Sequence, residues 1–322
     1  MRVLVVTPAP EGSHHGNRVT AERWARLIGE VGHTVTVTER YDGQRTDVLV
    51  ALHARRSADA VRAFADAKPG RPIVLALTGT DLYPDLVSAG VSEDVLELAN
   101  RLVVLQPLAT EQLPAALRSR ALVIYQSAEP PPAAGHAEPD FEATFTVVVL
   151  AHLRAVKDPL LAAQAARRLP ASSAVRILHY GAALDPELGS AACEEEARNP
   201  RYCWLRDRPP SEVRAVLGRA QLLALTSRHE GGANALSEAI AAQLPVVATA
   251  IAGSIGILGA HYTSYVPAGD PERLAELIDR LERNEGGCYA GSARQIQALA
   301  PLVRPERERR AWQQLLAEVA DQ

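Results

Sequence analysis

Cysteine is scarce in this sequence of 322 residues, and long apolar runs are missing. The three cysteines, Cys193, Cys203 and Cys288, form no CxxC pair and no metal-binding spacing, so a reduced environment is expected. The first residues enter an apolar strand pattern without the h-region of a signal peptide. No apolar run approaches the ~20 residues of a membrane span. These absences predict a cytoplasmic protein that makes no membrane contact.

Motifs of several enzyme classes are also missing. There is no Asp-x-Asp pair and no His/Cys/carboxylate cluster at metal spacing, which predicts an enzyme without a metal or other cofactor. A GxGxxG after the first strand, a P-loop and a GxSxG elbow are absent, which disfavours dinucleotide-dependent, P-loop and serine-nucleophile chemistry. The net charge of −4 gives no argument for a nucleic-acid partner.

Short apolar runs alternate with amphipathic segments along the chain. Strands are predicted at residues 3–6, 34–38, 47–52, 72–77, 101–105, 122–124, 144–150, 175–180, 202–205, 220–225, 246–249 and 262–266. Helices are predicted at residues 18–31 with Asn17 as cap, 58–67, 91–99, 160–168, 211–217, 235–243, 272–282 and 306–320. The alternation predicts an α/β fold with doubly wound parallel sheets.

A stretch rich in proline and alanine, residues 129–139, is interpreted as a linker between two domains. The predicted domains are residues 1–130 and 140–300, followed by a last helix within residues 301–322. In sheets of this kind ligands bind at the carboxyl ends of the strands, so the polar loops that follow strands are the candidate sites.

Residues 226–245 carry the most informative pattern. Glu230 and Glu238 are separated by seven residues, and Gly231 and Gly232 between them open a helix. Such a loop favours an anion, because free backbone N–H groups and the positive end of the helix dipole point the same way. Asn234 and Glu238 share one helix face. The prediction is a bound phosphate at the helix start, with a carboxylate one turn further for sugar or ribose hydroxyls. A Gly-Gly turn that serves packing alone is the alternative.

Arg154 and Lys157 follow the strand at residues 144–150. Two cations three residues apart in a loop can close on one pair of phosphates, so together with the glycine loop they predict a diphosphate site. Without a metal motif, these cations and the helix dipole would stabilise the charge on a departing nucleoside diphosphate. For Lys157 a solvated surface lysine is the alternative.

The first half places polar clusters after three of its strands. Their members are His14, His15, Asn17, Arg18, His53, Arg55, Arg56, Thr78, Gly79, Thr80 and Asp81. Basic and hydroxyl groups suit a small polyanion, whereas a sugar acceptor would want aromatic platforms and carboxylates. His53 or Asp81 is predicted to handle a proton or to place a water, with a hydrogen-bonded loop histidine as the alternative. In an extended chain Arg55 and Arg56 would point apart, one into the cleft and one into solvent.

The Glu230/Glu238 pair, its Gly-Gly loop, the LPVVAT strand and the Arg154/Lys157 loop resemble the donor half of glycosyltransferase family 4, which has the GT-B fold. The resemblance implies two Rossmann-like domains facing across a cleft and a nucleotide-sugar donor. It implies a donor site formed by Arg154, Lys157, Gly181, Arg206, Glu230, Gly231, Gly232, Ala233, Asn234 and Glu238, with the base near Gly181, Arg206 and Asp207 and the ribose on Glu238. The family has Gly-Arg where this chain has Ala151-His152, which leaves Arg154 as the phosphate partner.

Three blocks of the first half, NRVTAERWARLIGEVGH, LVALHARRSA and LTGTDLYPDL, are similar to the selenosugar synthases of selenoneine biosynthesis. That resemblance implies transfer from a UDP-sugar, UDP-N-acetylglucosamine or similar, to selenophosphate, with release of UDP and then phosphate. It also implies a last helix that packs back on the first domain and a functional link to a selenophosphate-producing enzyme. The catalytic candidates are His53, Asp81, Arg154, Lys157 and Glu230.

Three other functions stay open on the sequence. They are a family 4 transferase with another small anionic acceptor, a sugar-nucleotide epimerase or hydrolase, and a nucleotide-sugar sensor without turnover. The transferred sugar, the anomeric outcome and the oligomeric state are also open.

Overall fold

In the computed structural model, residues 1–132 and 144–320 are described, and they form two compact units. Unit 1 contains Met1–Ser127, His229–Asn234 and Leu302–Gln322, and unit 2 contains Ala128–Arg228 and Ala235–Pro301. Most of the predicted linker, together with the first residues of the predicted second domain, lies outside the described residues.

Regular elements alternate along the described chain. The strands are β1 (Arg2–Val6), β2 (Thr34–Thr38), β3 (Val48–Leu52), β4 (Ile73–Leu77), β5 (Arg101–Val104), β6 (Ala121–Val123), β7 (Phe145–Leu150), β8 (Val175–Tyr180), β9 (Tyr202–Trp204), β10 (Leu222–Leu225), β11 (Val246–Thr249) and β12 (Tyr265–Val266). The helices are α1 (Gly16–Glu30), α2 (Ala58–Ala67), α3 (Glu93–Glu97), α4 (Leu161–Ala166), α5 (Pro186–Arg198), α6 (Pro210–Leu217), α7 (Asn234–Ala241), α8 (Ala252–Leu258), α9 (Pro271–Glu282), α10 (Cys288–Leu299) and α11 (Pro305–Ala320).

Each unit is built on a parallel sheet. The order is β2-β1-β3-β4-β5-β6 in unit 1 and β12-β11-β10-β7-β8-β9 in unit 2. Strands β3 and β4 are buried at every residue, as continuous apolar runs in the middle of a parallel sheet should be. Because parallel strands end at the same edge, the loops that follow them in each unit are brought together. The predicted α/β fold with two Rossmann-like parallel-sheet domains is confirmed.

The last helix, α11, completes the core of unit 1. Trp312 packs against Trp24 of α1 with ring centroids 4.7 Å apart, and both side chains are fully buried. The predicted apolar stripe continues through Leu315, Leu316 and Val319, which are buried in the same cluster. Burial of two tryptophans removes a large apolar area from water, so α11 is a structural part of unit 1.

Three helices were not predicted, and two predicted details were wrong. Helices α5, α8 and α10 lie in segments for which the sequence predicts no element, and the strand expected at residues 262–266 is only the two residues of β12. Asn17 does not cap α1, because the helix begins at Gly16 and the extended residue before it is His15. No helix of the described residues combines the length and apolarity of a membrane span.

Candidate functional site

In unit 1, His53 lies directly after β3 in a left-handed conformation with φ of 71°. Its side chain is buried, and its Nε2 hydrogen-bonds to the Thr80 hydroxyl at 3.0 Å. Burial lowers the pKa of His53, and this outweighs the opposite influence of the Asp81 carboxylate. His53 is therefore a neutral imidazole near neutral pH, held against the loop that follows β4.

Asp81 ties the loops after β3 and β4 together. This fully buried carboxylate accepts backbone N–H groups from Ala54 at 2.8 Å, Thr78 at 3.0 Å and Gly79 at 2.8 Å. Its Oδ2 is 3.7 Å from His53 Nδ1. The charge of Asp81 is compensated by three amide donors, which fix the Thr78–Thr80 backbone relative to His53. Its predicted role with a proton or a water stays a prediction.

The adjacent arginines after β3, Arg55 and Arg56, lie in a turn and not in an extended chain. Residues 53–57 form a turn, closed by Ser57 N–H donating to His53 O at 3.0 Å, and both Arg55 and Arg56 are exposed. The extended chain expected here is therefore wrong, and which of the two arginines faces the cleft stays a prediction. Arg55 instead lies along Gly90, whose added Cβ would be 3.2 Å from Arg55 Cδ.

The cluster at the start of α1 is less exposed than the one after β3. Arg18 is buried and pairs through Nε with Glu22 at 2.6 Å, while His14, His15 and Asn17 are half-buried. Unit 1 thus brings the predicted residues of three loops to the carboxyl edge of one sheet, and Arg18 carries a buried positive charge there.

The glycine loop, residues 229–234, packs on this same edge within unit 1. A Cβ on Gly231 would lie 2.6 Å from the Thr78 carbonyl carbon and 2.7 Å from Gly79 Cα. A Cβ on Gly232 would lie 2.7 Å from Leu105 Cβ. Glycine is therefore required at both positions by close approach of the backbone. The Gly-Gly pair thus has a packing role, and whether the loop also binds an anion stays a prediction. The close approach brings the predicted donor loop into contact with the predicted acceptor loop.

The Asn234 side chain forms its hydrogen bonds within the protein. Its Oδ1 accepts from Arg23 Nη1 at 2.8 Å, and its Nδ2 donates to Thr20 Oγ1 at 3.2 Å and to Gly16 O at 3.3 Å. A ligand at the start of α7 would therefore meet the backbone of Asn234. Arg23 and Gln126, which contact this loop, are not predicted from the sequence, because no motif marks them.

In unit 2, the loop after β7 carries Arg154 and Lys157, and the 3₁₀ turn Ala155–Lys157 shapes it. Thr226, directly after β10, donates its hydroxyl to Lys157 O at 3.1 Å and to Asp158 O at 3.0 Å. Arg228 Nη2 lies 2.8 Å from Asp158 Oδ2, an ion pair across the same two loops. These contacts fasten the cationic loop to the strand that precedes the glycine loop. The sequence did not single out Thr226 or Arg228.

His179 supports the same edge from inside unit 2. Its Nε2 donates to Ala151 O at 2.8 Å, so Nδ1 is the acceptor for the Tyr202 hydroxyl, also at 2.8 Å. Complete burial lowers the pKa of His179 to about 4. The imidazole is therefore a neutral brace that fixes the first residue of the Arg154/Lys157 loop.

Gly181 and Arg206, predicted near the base, are adjacent in unit 2. Gly181 N–H donates to Arg206 O at 2.8 Å, and a Cβ on Gly181 would lie 2.0 Å from Ala151 O. The Arg206 guanidinium stacks on the Trp204 ring, 3.8 Å from its centroid, while Trp204 Nε1 donates to Gly181 O at 2.9 Å. The Arg206 side chain remains 49% exposed, so it can still meet a ligand. Trp204 was not predicted.

The two glutamates of the sequence pattern differ in burial. Glu230 is buried in the glycine loop of unit 1, and Glu238 is half-buried on α7 in unit 2. Across residues 1–132 and 144–320, no three His, Cys, Asp or Glu side chains are grouped so that they would hold a metal ion.

Comparison with known sequences identifies a family for the second part of the chain. Residues 136–298 match the profile of the family described as Glycosyl transferases group 1. No protein of curated function matches the chain by sequence.

Solved structures give a likeness over the full length. HepE of Anabaena, in complex with UDP and glucose, has a TM-score of 0.75 at 16% identity and covers 100% of both chains. A glycosyltransferase of Rickettsia africae has a TM-score of 0.76 at 13% identity, over 99% of this chain and 98% of its own. Sucrose-phosphate synthase of Thermosynechococcus elongatus has 0.72 at 14% identity, over 99% of each chain. At these identities the likeness shows the fold, the GT-B type with two Rossmann-like domains.

Proposed function

This chain belongs to the group 1 glycosyltransferase family, and we propose that it transfers the sugar of a UDP-sugar, UDP-N-acetylglucosamine or similar, to selenophosphate. The selenium atom attacks the anomeric carbon, the bond from that carbon to UDP breaks, and UDP leaves with the electron pair. Water then splits the selenium–phosphorus bond, its oxygen going to phosphorus. The products are a 1-selenosugar, UDP and phosphate.

In this proposal residues 140–300 form the donor domain. Arg154 and Lys157, with the backbone at the start of α7, neutralise the diphosphate as UDP departs. Glu238 binds the ribose hydroxyls, and Gly181 and Arg206 flank the base. UDP as the carrier is supported by HepE, which has been crystallised with UDP-glucose. The fastening of the Arg154/Lys157 loop by Thr226 supports the assignment, because a preorganised cation loses less entropy on binding.

Glu230 and the loop Gly231, Gly232, Ala233 and Asn234 complete the donor site next to the transferred sugar. Glu230 is buried in unit 1, and its carboxylate is proposed to accept hydroxyl hydrogens of the sugar. Asn234 contributes its backbone alone, because its side chain is bonded to α1.

Residues 1–130 form the acceptor domain in this proposal. The basic and hydroxyl residues at the carboxyl edge bind selenophosphate, namely His14, His15, Asn17, Arg18, Arg55, Arg56, Thr78, Gly79 and Thr80. Selenophosphate is already anionic at selenium near neutral pH, so it needs positioning more than deprotonation. His53, neutral and hydrogen-bonded to Thr80, is assigned the proton of the water-dependent step.

One observation carries the proposal, the approach of Gly231 to Thr78 and Gly79 inside unit 1. It puts the loop proposed for the donor sugar directly against the loop proposed for selenophosphate. A transferase needs its nucleophile and its anomeric carbon at near-attack distance, and contact between these two loops supports such an arrangement.

The test is an incubation of the purified protein with UDP-N-acetylglucosamine in three tubes. One contains selenophosphate, one contains orthophosphate and one contains no added anion. We expect UDP release in the selenophosphate tube alone, with a selenium-containing hexosamine detected by mass spectrometry. UDP in all three tubes indicates a hydrolase, UDP with orthophosphate indicates another anionic acceptor, and no UDP in any tube contradicts the proposal.

A further inference from the structure

Arg23 of α1 holds three partners at once inside unit 1. Its Nε donates to Glu308 at 3.0 Å, its Nη1 to Asn234 Oδ1 at 2.8 Å and its Nη2 to Gln126 Oε1 at 2.7 Å. The Arg23 side chain is 11% exposed, so these are charge-assisted hydrogen bonds largely shielded from water. A planar guanidinium can donate to partners in three fixed directions, and a lysine ammonium has no such rigid arrangement of donors.

Gln126, which follows β6, contacts the glycine loop through its amide nitrogen. This nitrogen donates to Gly232 O, while Gln126 Oε1 accepts from Thr20 and Arg23. The two donors on Oε1 fix the orientation of the amide, so the nitrogen must face the loop. Gln126 is 4% exposed, which makes a missing partner costly.

Glu308 of α11 anchors this group from the far end of the chain. It is fully buried and accepts from Trp24 Nε1 at 2.7 Å and Ser127 N at 2.8 Å, besides Arg23. Both carboxylate oxygens of Glu308 therefore have a donor, and Glu308 holds the Nε of Arg23 while Asn234 contacts its Nη1. A buried pair of this kind is well suited to fix one geometry.

From these contacts we infer that Arg23 and Gln126 are positioning residues for the glycine loop, and that Glu308 holds Arg23 in place for this task. In this inference Arg23, Gln126 and Glu308 do not contact the substrate. They turn Gly232 O and the Asn234 side chain toward the protein. In a trans peptide the C=O and N–H point in opposite directions, so the N–H of Ala233 is turned away from Gln126. In this inference that orientation presents the N–H to an anion.

This inference rests on the proposed function, because the anion in question is the diphosphate of the donor. It adds that diphosphate binding depends on residues of unit 1 outside the donor site itself. The N–H groups that receive the diphosphate are aimed by α1, by the segment after β6 and by the C-terminal helix. Preorganised donors stabilise a developing charge without reorganisation at the moment of reaction.

The first test uses Gln126→Glu in the full chain. The introduced side chain has nearly the same shape and keeps an acceptor for Thr20 and Arg23, but at neutral pH it presents an oxygen to Gly232 O. We expect backbone amide hydrogen exchange at residues 230–234 to become about tenfold faster, and UDP binding measured by calorimetry to become about tenfold weaker. Both are measured below the melting transition, so a purely structural loss, which lowers the melting temperature alone, would leave the UDP affinity unchanged.

A second variant guards against misfolding. The double substitution Arg23→Met with Glu308→Gln removes the fork without leaving an unpaired buried charge, and the same two shifts are expected. Arg23→Lys keeps the charge but not the three-way geometry, so it should not restore wild-type exchange. The control is Arg26→Met, one turn along α1, where the half-exposed arginine pairs with Glu30; exchange and UDP affinity should stay at wild-type values.

The outcomes separate this inference from the proposed function. Wild-type exchange in the loop and wild-type UDP affinity in both Gln126→Glu and the double variant overturn the inference. Equal effects in Arg26→Met also overturn it. If the wild-type protein binds no UDP, the proposed donor is wrong, and the exchange measurement still decides whether Arg23 and Gln126 fix the loop.

Discussion

Gly231 and Gly181 occupy positions where a Cβ atom has no room. At Gly231 the obstacle is the Thr78–Gly79 backbone, and at Gly181 it is the Ala151 carbonyl. Backbone atoms cannot rotate away as a flexible side chain can, so a larger residue must push the chain apart. Both glycines are therefore required because neighbouring loops approach closely. This approach cannot be recognised from the sequence, where the residues are only part of a Gly-Gly and a Tyr-Gly pair.

Gly231→Ala should disturb both stability and transfer. The added methyl group overlaps the Thr78–Gly79 backbone, so we expect a loss of about 1–3 kcal/mol in the free energy of unfolding and a fall in UDP release of at least about tenfold. Denaturant unfolding and the UDP assay measure these effects. Gly291→Ala, in open space on α10, is the matched control and should lose nothing. A Gly231→Ala protein with wild-type activity would contradict the close approach.

Lys157→Ala tests the diphosphate assignment by charge. A hydrogen bond to a charged group is worth about 1.5–3 kcal/mol, so UDP binding should weaken by roughly that amount. Calorimetry at one fixed salt concentration is the measurement. Lys68→Ala, at the end of α2, removes another lysine and should leave UDP affinity as it is. Unchanged affinity in Lys157→Ala would remove this residue from the site.

At the scale of elements, β7, β8 and β9 are joined by the His179 brace as well as by their backbone ladder. The ring bridges Ala151 O at the end of β7 and the Tyr202 hydroxyl on β9. It must stay neutral to accept from tyrosine, and burial keeps its pKa at about 4. Protonation would add an uncompensated charge to the core of unit 2, so this contact makes unit 2 sensitive to acid.

The sign of that sensitivity follows from the two pKa values. In the unfolded chain His179 has an ordinary pKa near 6.5, so between about pH 6.5 and 4 the unfolded state binds more protons and stability falls as the pH falls. The loss saturates at about 3.5 kcal/mol, since the pKa differs by about 2.5 units and each unit is worth about 1.4 kcal/mol. His179→Gln should flatten the pH dependence of the unfolding free energy in this range. His261→Gln, an exposed control in unit 2, should keep the wild-type slope.

Most strands could be predicted from the sequence, since buried parallel strands are short continuous apolar runs. Helix α2 was also predicted with its observed bounds. Helix α5 was missed although Asp185 caps it and Pro186 begins it, a start signal that its weakly apolar face obscured. Helix α10 was missed because its sequence, CYAGSARQIQAL, has a weak apolar stripe. A periodic apolar pattern appears when one face of a helix is buried against a large core, and few side chains of α5 and α10 are buried.

Residues of the candidate site could be predicted where they form a short motif or follow a strand. Residues that act through packing contacts with distant parts of the chain could not be predicted. The loops with His53, Thr78 and Arg154 follow strands, so the sheet edge locates them. Arg23 and Gln126 act through neighbours far apart in sequence, and nothing local distinguishes Arg23 from the other arginines of α1. The turn that exposes both Arg55 and Arg56 was likewise hidden, because an extended chain was assumed.

At the scale of the whole molecule, unit 1 is discontinuous in sequence. Its sheet comes from the first part of the chain, and α11 covers the face that contains Trp24. Glu308 adds a polar anchor beside that apolar contact. The stability of unit 1 therefore depends on a helix that follows all of unit 2 in the sequence.

Trp312→Ala should destabilise unit 1 selectively. Removal of a fully buried tryptophan costs about 3–5 kcal/mol, so amide exchange in β1 and β3 should quicken while exchange in β7 and β8 stays near wild type. Hydrogen exchange with mass spectrometry resolves the two units. Gln313→Ala, on the exposed face of α11, controls for the substitution itself. Equal acceleration in both units would show that they do not unfold separately.

The late position of α11 has a consequence for biosynthesis. The ribosome releases the six strands of the first sheet well before the helix that covers Trp24, so unit 1 must wait with an uncovered apolar face while unit 2 is translated. Unit 2 needs no segment from beyond residue 301 and can fold as it emerges. The part of the chain that is made first is thus the last to reach its native packing.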